Sequence, residues 1–181
     1  MNIIFLGAQG SGKSTQAKML AEKLGIPYLE MGQLLRDRAA QNDQVGRQIK
    51  ETLDAGHLIE DATTISILRQ KLMSLNPVTG YVLDGFPRNF AQYNALDNDI
   101  DLVFYIMVLD EEATRRLFLR GRSDDTKDAL KKRLEIYHRE TEPLLSKFRQ
   151  REILREVDGE RPIEAIHKDI LQIVKSNKKY Q

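Results

Sequence analysis

The sequence predicts an α/β fold, a doubly wound parallel sheet of five strands with helices on both faces. Short runs rich in β-branched and aromatic residues, almost free of charge, read as buried strands, notably Tyr81–Leu83 and Leu102–Val108. Longer amphipathic stretches lie between these runs along the whole chain. An apolar run, Ile3 to Leu6, stops at Gly7 and a helical pattern opens just beyond a glycine-rich turn. Strands joined one after another by helices argue for parallel pairing.

Each element has its own signal. After the first strand, Ala17, Leu20, Ala21 and Leu24 form one helical stripe, with Gly25 as its C-cap. Ile26 to Leu29 is a short strand candidate. A helix follows Gly32, and another covers Val45 to Leu53, stopped at Gly56. Asp61 is expected to cap a helix that turns Ile65, Leu68 and Leu72 inward. Asp110, Glu111 and Glu112 start a helix running to Leu119, acids being favoured at a helix N-terminus. A long helix is expected over about 125–148, with Pro143 as a kink or break. Ile153 to Val157 is the last strand, Asp158-Gly159 a turn, and Pro162 the first turn of a closing helix. No internal repeat or low-complexity segment interrupts the series, so residues 1–181 read as a single domain.

Composition bounds the function. The chain has 181 residues, 41% hydrophobic and 30% charged, which suits a globular domain. No apolar run approaches the roughly 20 residues of a bilayer span, and, with the first strand starting almost at once, no signal peptide is expected. Cysteine is absent, which excludes disulfides and thiolate zinc sites. A cytoplasmic protein without a membrane partner is expected. A net charge of +1 gives no general attraction to nucleic acid. Residues 115–133 nevertheless hold eight Lys/Arg against three Asp, a local +5 that suits a small polyanion.

The sharpest motif is Gly7-x-x-x-x-Gly12-Lys13-Ser14, a complete P-loop between a strand and a helix. Its glycines let backbone N–H groups turn inward around an anion, and the following helix adds the positive end of its dipole. Gly10, Ser11, Gly12, Lys13, Ser14 and Thr15 are therefore candidates for a triphosphate cradle. Lys13 can reach the β- and γ-phosphates and Ser14 can offer its hydroxyl to Mg²⁺. A second motif, Asp84-Gly85-Phe86-Pro87-Arg88, closes an apolar strand. Asp84 stands where P-loop enzymes place the acid that orients Mg²⁺ or its waters. The sharp turn at Gly85 and Pro87 would aim the Arg88 guanidinium into the cleft for bidentate phosphate contact. Arg116 and Arg120 share a helical face, and Gly121 sets Arg120 and Arg122 in a short connection.

Taken together, the P-loop, Gly32-x-Leu34-Leu35-Arg36, Asp54-Ala55-Gly56, the aspartate-to-arginine turn with Gln92, and Lys132-Arg133-Leu134 resemble the nucleoside monophosphate kinases. Within them the chain looks most like the short-lid adenylate kinases, over nearly its whole length. The resemblance implies reversible transfer of the ATP γ-phosphoryl to a nucleoside monophosphate, with Mg²⁺ and without zinc, by a monomer. It implies that Arg36 and Arg88 hold the acceptor's phosphate, that Gln92 bonds its adenine, that the backbone near Leu58 and Ile59 lines its base pocket, and that Gly32 and Gly85 belong to the same acceptor site. Arg116 would lie against the ATP base, while Lys13, Arg120, Arg122 and Arg133 converge on the phosphates. Residues 30–60 would form the acceptor-binding subdomain and 120–125 a minimal lid. His57 reads as an exposed residue beside the acceptor pocket.

Three positions depart from that pattern. Met31 stands where the family usually has Thr or Ser, Gln33 where it has Asp, and Ser14 where it has Gly. A threonine at 31 would help to recognise adenine, so Met31 speaks against AMP and Gln92 speaks for it. AMP is the expected acceptor. UMP or CMP, or a non-catalytic nucleotide-binding module, remain as alternative readings, the last disfavoured by the full set of arginines.

Overall fold

The computed structural model describes residues 1–55, 57–75, 80–97, 99–121 and 127–177. Its sheet has the order β2-β3-β1-β4-β5 and every pairing is parallel. The strands are β1 (Asn2–Leu6), β2 (Tyr28–Glu30), β3 (Tyr81–Asp84), β4 (Leu102–Met107) and β5 (Leu154–Asp158). The helices are α1 (Lys13–Leu24), α2 (Met31–Ala39), α3 (Gln44–Asp54), α4 (Asp61–Met73), α5 (Phe90–Asn94), α6 (Asp110–Arg120), α7 (Lys127–Ile136), α8 (Leu145–Gln150) and α9 (Ile163–Ser176).

Alternation along β1 explains both layers. Ile3 and Phe5 face one side, against Ala17, Leu20 and Ala21 of α1 and Ile166, Ile170 and Val174 of α9. Ile4 and Leu6 face the other, in a cluster with Leu35 of α2, Leu68 of α4 and Phe148 of α8. Phe5 and Phe104 stack with ring centroids 5.1 Å apart on the first face. Because β1 is central and all strands run the same way, the loops after the strands share one edge of the sheet. Ligands of doubly wound sheets bind at that edge.

Several boundaries differ from the sequence reading. Glu60, not Asp61, caps α4, and the Asp61 carboxylate instead accepts from Asn89 and Gln92. Pro162 caps α9 rather than occupying its first turn. The expected long helix over 125–148 is interrupted well before Pro143. α7 ends at Ile136, a π-helical turn spans Tyr137–Thr141, and a 3₁₀ turn carries Glu142–Leu144 into α8. Pro143 offers no N–H to an α-helical ladder, and the wider turn ahead of it absorbs the mismatch. The short α5, capped by the Asn89 side chain on Gln92 N–H, was not expected. The Gly56 stop and most of the 120–125 segment lie outside the described residues. No described helix is long and apolar enough to cross a membrane.

Candidate functional site

The edge formed by the strand ends opens into a cleft of about 1570 Å³. A single small-molecule site usually occupies roughly 300–1,000 Å³, so this cleft can take two nucleotides. Gly10, Ser11, Gly12, Lys13, Ser14 and Thr15 all line it.

The loop after β1 owes its shape to close backbone approaches. Gly10 has φ +84° and a Cβ there would stand 2.3 Å from the Ala113 carbonyl oxygen of α6, so only glycine fits. Gly12, at φ +87°, caps α1 without any side-chain hydrogen bond, and no acid occupies the first turn of that helix. The positive end of the dipole is thus open to an anion. Lys13 Nζ donates to the Ala8 carbonyl at 3.2 Å, folded back across its own loop.

At the end of β3, Asp84 is buried with 1% of its surface exposed. Its Oδ2 accepts from the Tyr28 hydroxyl at 3.1 Å, whereas Oδ1 is buried with no hydrogen-bond partner among the described residues. Tyr28 also neighbours the Ser14 hydroxyl. A buried carboxylate oxygen without a donor, beside a serine of the P-loop, fits a hard cation with oxygen ligands or one of its waters. Burial, followed by the Asp84 charge, pushes the Tyr28 phenol well above its usual range, so the phenol stays a donor.

The following turn delivers Arg88. Its Nε donates to the Gly85 carbonyl at 3.0 Å, and its backbone is fixed at both ends. Gln92 Oε1 accepts from Arg88 N–H at 2.8 Å, and the Thr141 hydroxyl donates to the Arg88 carbonyl at 2.7 Å. Desolvation lowers the pKa of this guanidinium, with Arg133 and Arg36 adding to the effect and Asp84 and Glu30 opposing it. A guanidinium remains charged regardless. Three arginines therefore converge on one region, and an anion is needed to offset them.

Other expected residues sort clearly. Gly32, Arg36, Leu58, Gly85, Arg116 and Arg133 line the cleft, as does the exposed His57. Arg116 spans from the P-loop to the turn after β5. Its Nη2 donates to the Gly159 carbonyl at 3.0 Å, and its Nε donates to Glu112 at 2.6 Å. Hydrogen bonds from Arg115 and Arg116 hold the Glu112 carboxyl down to about 2.

Ile59 and Gln92 are not on the wall. Ile59 is 8% exposed and belongs to the core cluster. Gln92 is 2% exposed with its amide engaged at both ends, Oε1 by Arg88 N–H and Nε2 by Asp61 Oδ1 at 2.8 Å. Arg120 ends α6, but its side chain and all of Arg122 lie outside the described residues. Met31 is buried in the core and does not line the cleft.

Sequence reasoning missed Glu30, Arg47 and Lys50, which also face the cleft. Arg47 and Lys50 stand three apart on α3 and so share a helical face, a signal open to the sequence. Glu30 carries no such signal. Its place follows from its register beside Asp84 across β2 and β3.

Comparison with known proteins shows the family. The family profile described as adenylate kinase matches residues 5–153. An adenylate kinase of Prochlorococcus marinus is 38% identical over 178 residues, covering 94% of this chain and 97% of its own. Adenylate kinase 1 of Synechocystis sp. is 38% identical over 180 residues, with 96% of both chains covered. An adenylate kinase of Archaeoglobus fulgidus is 34% identical over 216 aligned residues, covering 98% of this chain and all of its own. With the P-loop, the Asp84–Arg88 turn and the clustered arginines on one cleft, the chain belongs to the adenylate kinase family.

Proposed function

We infer that the protein catalyses reversible transfer of the ATP γ-phosphoryl group to AMP, giving two molecules of ADP. The observation that carries this reading is one cleft, large enough for two nucleotides, walled by a P-loop on one side and by Arg36 and Arg88 on the other. A pure nucleotide binder has no need of the second cationic wall.

Phosphoryl transfer asks little covalent chemistry of a protein, so positioning and charge neutralisation supply the rate. The P-loop amides and Lys13 hold the β- and γ-phosphates of ATP, and Arg116 packs beside its base. Arg36 and Arg88 hold the acceptor's phosphate in line with the γ-phosphorus. Arg133, with Arg120 and Arg122, bears on the transferring group, where fixed cations stabilise the transition state most. Ser14 and Asp84 would hold Mg²⁺, which would neutralise phosphate charge. No general base is required. Residues 30–60 serve as the acceptor-binding subdomain, with Gly32, Leu58 and Gly85 at its wall. The 120–125 segment serves as a short lid, and the enzyme works as a cytoplasmic monomer. Gln92 contributes by fixing Arg88.

A coupled ADP-release assay with ATP against AMP, UMP, CMP, GMP and dTMP tests the reading. AMP should give the highest kcat/KM. A preference of about tenfold or more for UMP or CMP, the scale of one or two base contacts, would overturn it.

A further inference from the structure

Arg36 already holds an anion of the protein's own. Its Nη2 donates to Glu30 Oε1 at 2.9 Å, while Gln33 Oε1 accepts from both Nε and Nη2. Glu30 ends β2 on the cleft wall, with 27% of its side chain exposed. Residue 32 makes room for the pair. A Cβ on Gly32 would lie 3.2 Å from Arg36 Nη1 and 3.6 Å from Glu30 Oε1. The Glu30 charge also acts on Arg88. A carboxylate is thus set against the two arginines assigned to the acceptor's phosphate.

We propose that Glu30 is a built-in competitor for that phosphate, occupying Arg36 until an acceptor displaces it. The proposal rests on the function given above. Carboxylate and phosphate present matching oxygen pairs to a guanidinium, so one replaces the other on the same donors. The phosphate carries more charge and takes the arginine, but against repulsion from the carboxylate it evicts. Glu30 then keeps a polar neighbour, since the Tyr28 hydroxyl stands 3.5 Å from its Oε2. Without an acceptor, Glu30 offsets the repulsion between Arg36 and Arg88. With one, it opposes bound phosphate in ground and transition states alike, which raises KM and leaves kcat nearly untouched.

Glu30→Gln keeps the volume and removes the charge. AMP and adenosine are titrated calorimetrically into the wild-type enzyme and the variant, beside steady-state kinetics. The Kd and KM for AMP should fall about fivefold, the limit for a partly exposed ion pair. Adenosine, which has no phosphate, should bind both proteins equally. Glu30→Ala should tighten AMP at least as far and repeats the test if the first variant does not fold. An AMP affinity that is unchanged or weaker would overturn the proposal. So would a parallel gain for adenosine, which would mark a reshaped base pocket. A wild-type enzyme that phosphorylates a different monophosphate would overturn the functional reading alone. The same titration with that monophosphate and its nucleoside then decides the role of Glu30.

Discussion

The Tyr28 hydroxyl donates to Asp84 Oδ2 at 3.1 Å, joining the start of β2 to the end of β3 beneath the cleft. Tyr28→Phe removes the donor while Asp84 Oδ1 already lacks one. Leaving a buried charged acceptor unsatisfied costs about 1–3 kcal/mol. For a domain of this size the nucleotide-free Tm should drop by about 3–9 °C. Saturating ATP with Mg²⁺ should narrow the deficit, because a cation held near Asp84 would offset the carboxylate charge left without its donor. An unchanged Tm without nucleotide would contradict this account of Asp84.

Lys13 and Arg88 test the catalytic assignment. Lys13→Met and Arg88→Ala should each lower transfer by several orders of magnitude with the fold intact, since each removes a charge used in the transition state. Arg88→Ala should also raise KM for the acceptor. Retention of more than about a tenth of wild-type kcat/KM, a loss of only ~1.4 kcal/mol, would show that the assigned role is wrong. Circular dichroism and thermal melts separate this from unfolding.

Gln92 and Asp61 form a charge-sensitive pair. Nε2 donates to Asp61 Oδ1 at 2.8 Å in a setting where Gln92 is 2% exposed. Gln92→Glu would set two carboxylates against each other there, and stability at neutral pH should fall by about 2–3 kcal/mol. Adding Asp61→Asn should restore part of the loss, because it removes one of the two facing carboxylate charges, while the one oxygen that accepted from both Asn89 and Gln92 can no longer serve both. Additive losses in the double variant would remove Asp61 as the partner that fixes Gln92.

These residues mark how far the sequence could be read. The P-loop, the Asp84–Arg88 turn and the sheet class were legible because each is written locally, in glycine spacing, strand-end aspartate and uncharged runs. The Asp61 partnership was not. Asp61 and Gln92 are 31 positions apart, and an aspartate ahead of an apolar stripe reads as a cap. The π turn over Tyr137–Thr141 was equally hidden, since helical periodicity runs on through it. Its consequence, Thr141 bonding the Arg88 carbonyl, depends on a contact 53 positions away. Glu30 belongs to the same class, because only strand register sets it beside Asp84 and only the fold of α2 sets Arg36 upon it.

His138, within that π turn, ties two elements together. Its Nε2 lies 2.9 Å from Asp110 Oδ2 at the start of α6, and its Nδ1 lies 2.8 Å from Glu142 Oε2. Hydrogen bonds to Glu142 and then to Asp110 raise its pKa above the ordinary histidine value of 6.5. The folded state thus binds this proton more tightly than the unfolded chain. Its stabilisation is complete below about pH 6.5, the unfolded value, and is lost as pH rises through the higher folded value. All three groups are about half exposed, so solvent screening limits the effect to about 1 kcal/mol. His138→Gln retains a hydrogen-bonding side chain but no charge. Its Tm should lie about 3 °C below wild type near pH 6 and match it near pH 9. A deficit that persists or grows at high pH would show that packing or neutral hydrogen bonding, not the imidazolium, holds α6 to the turn.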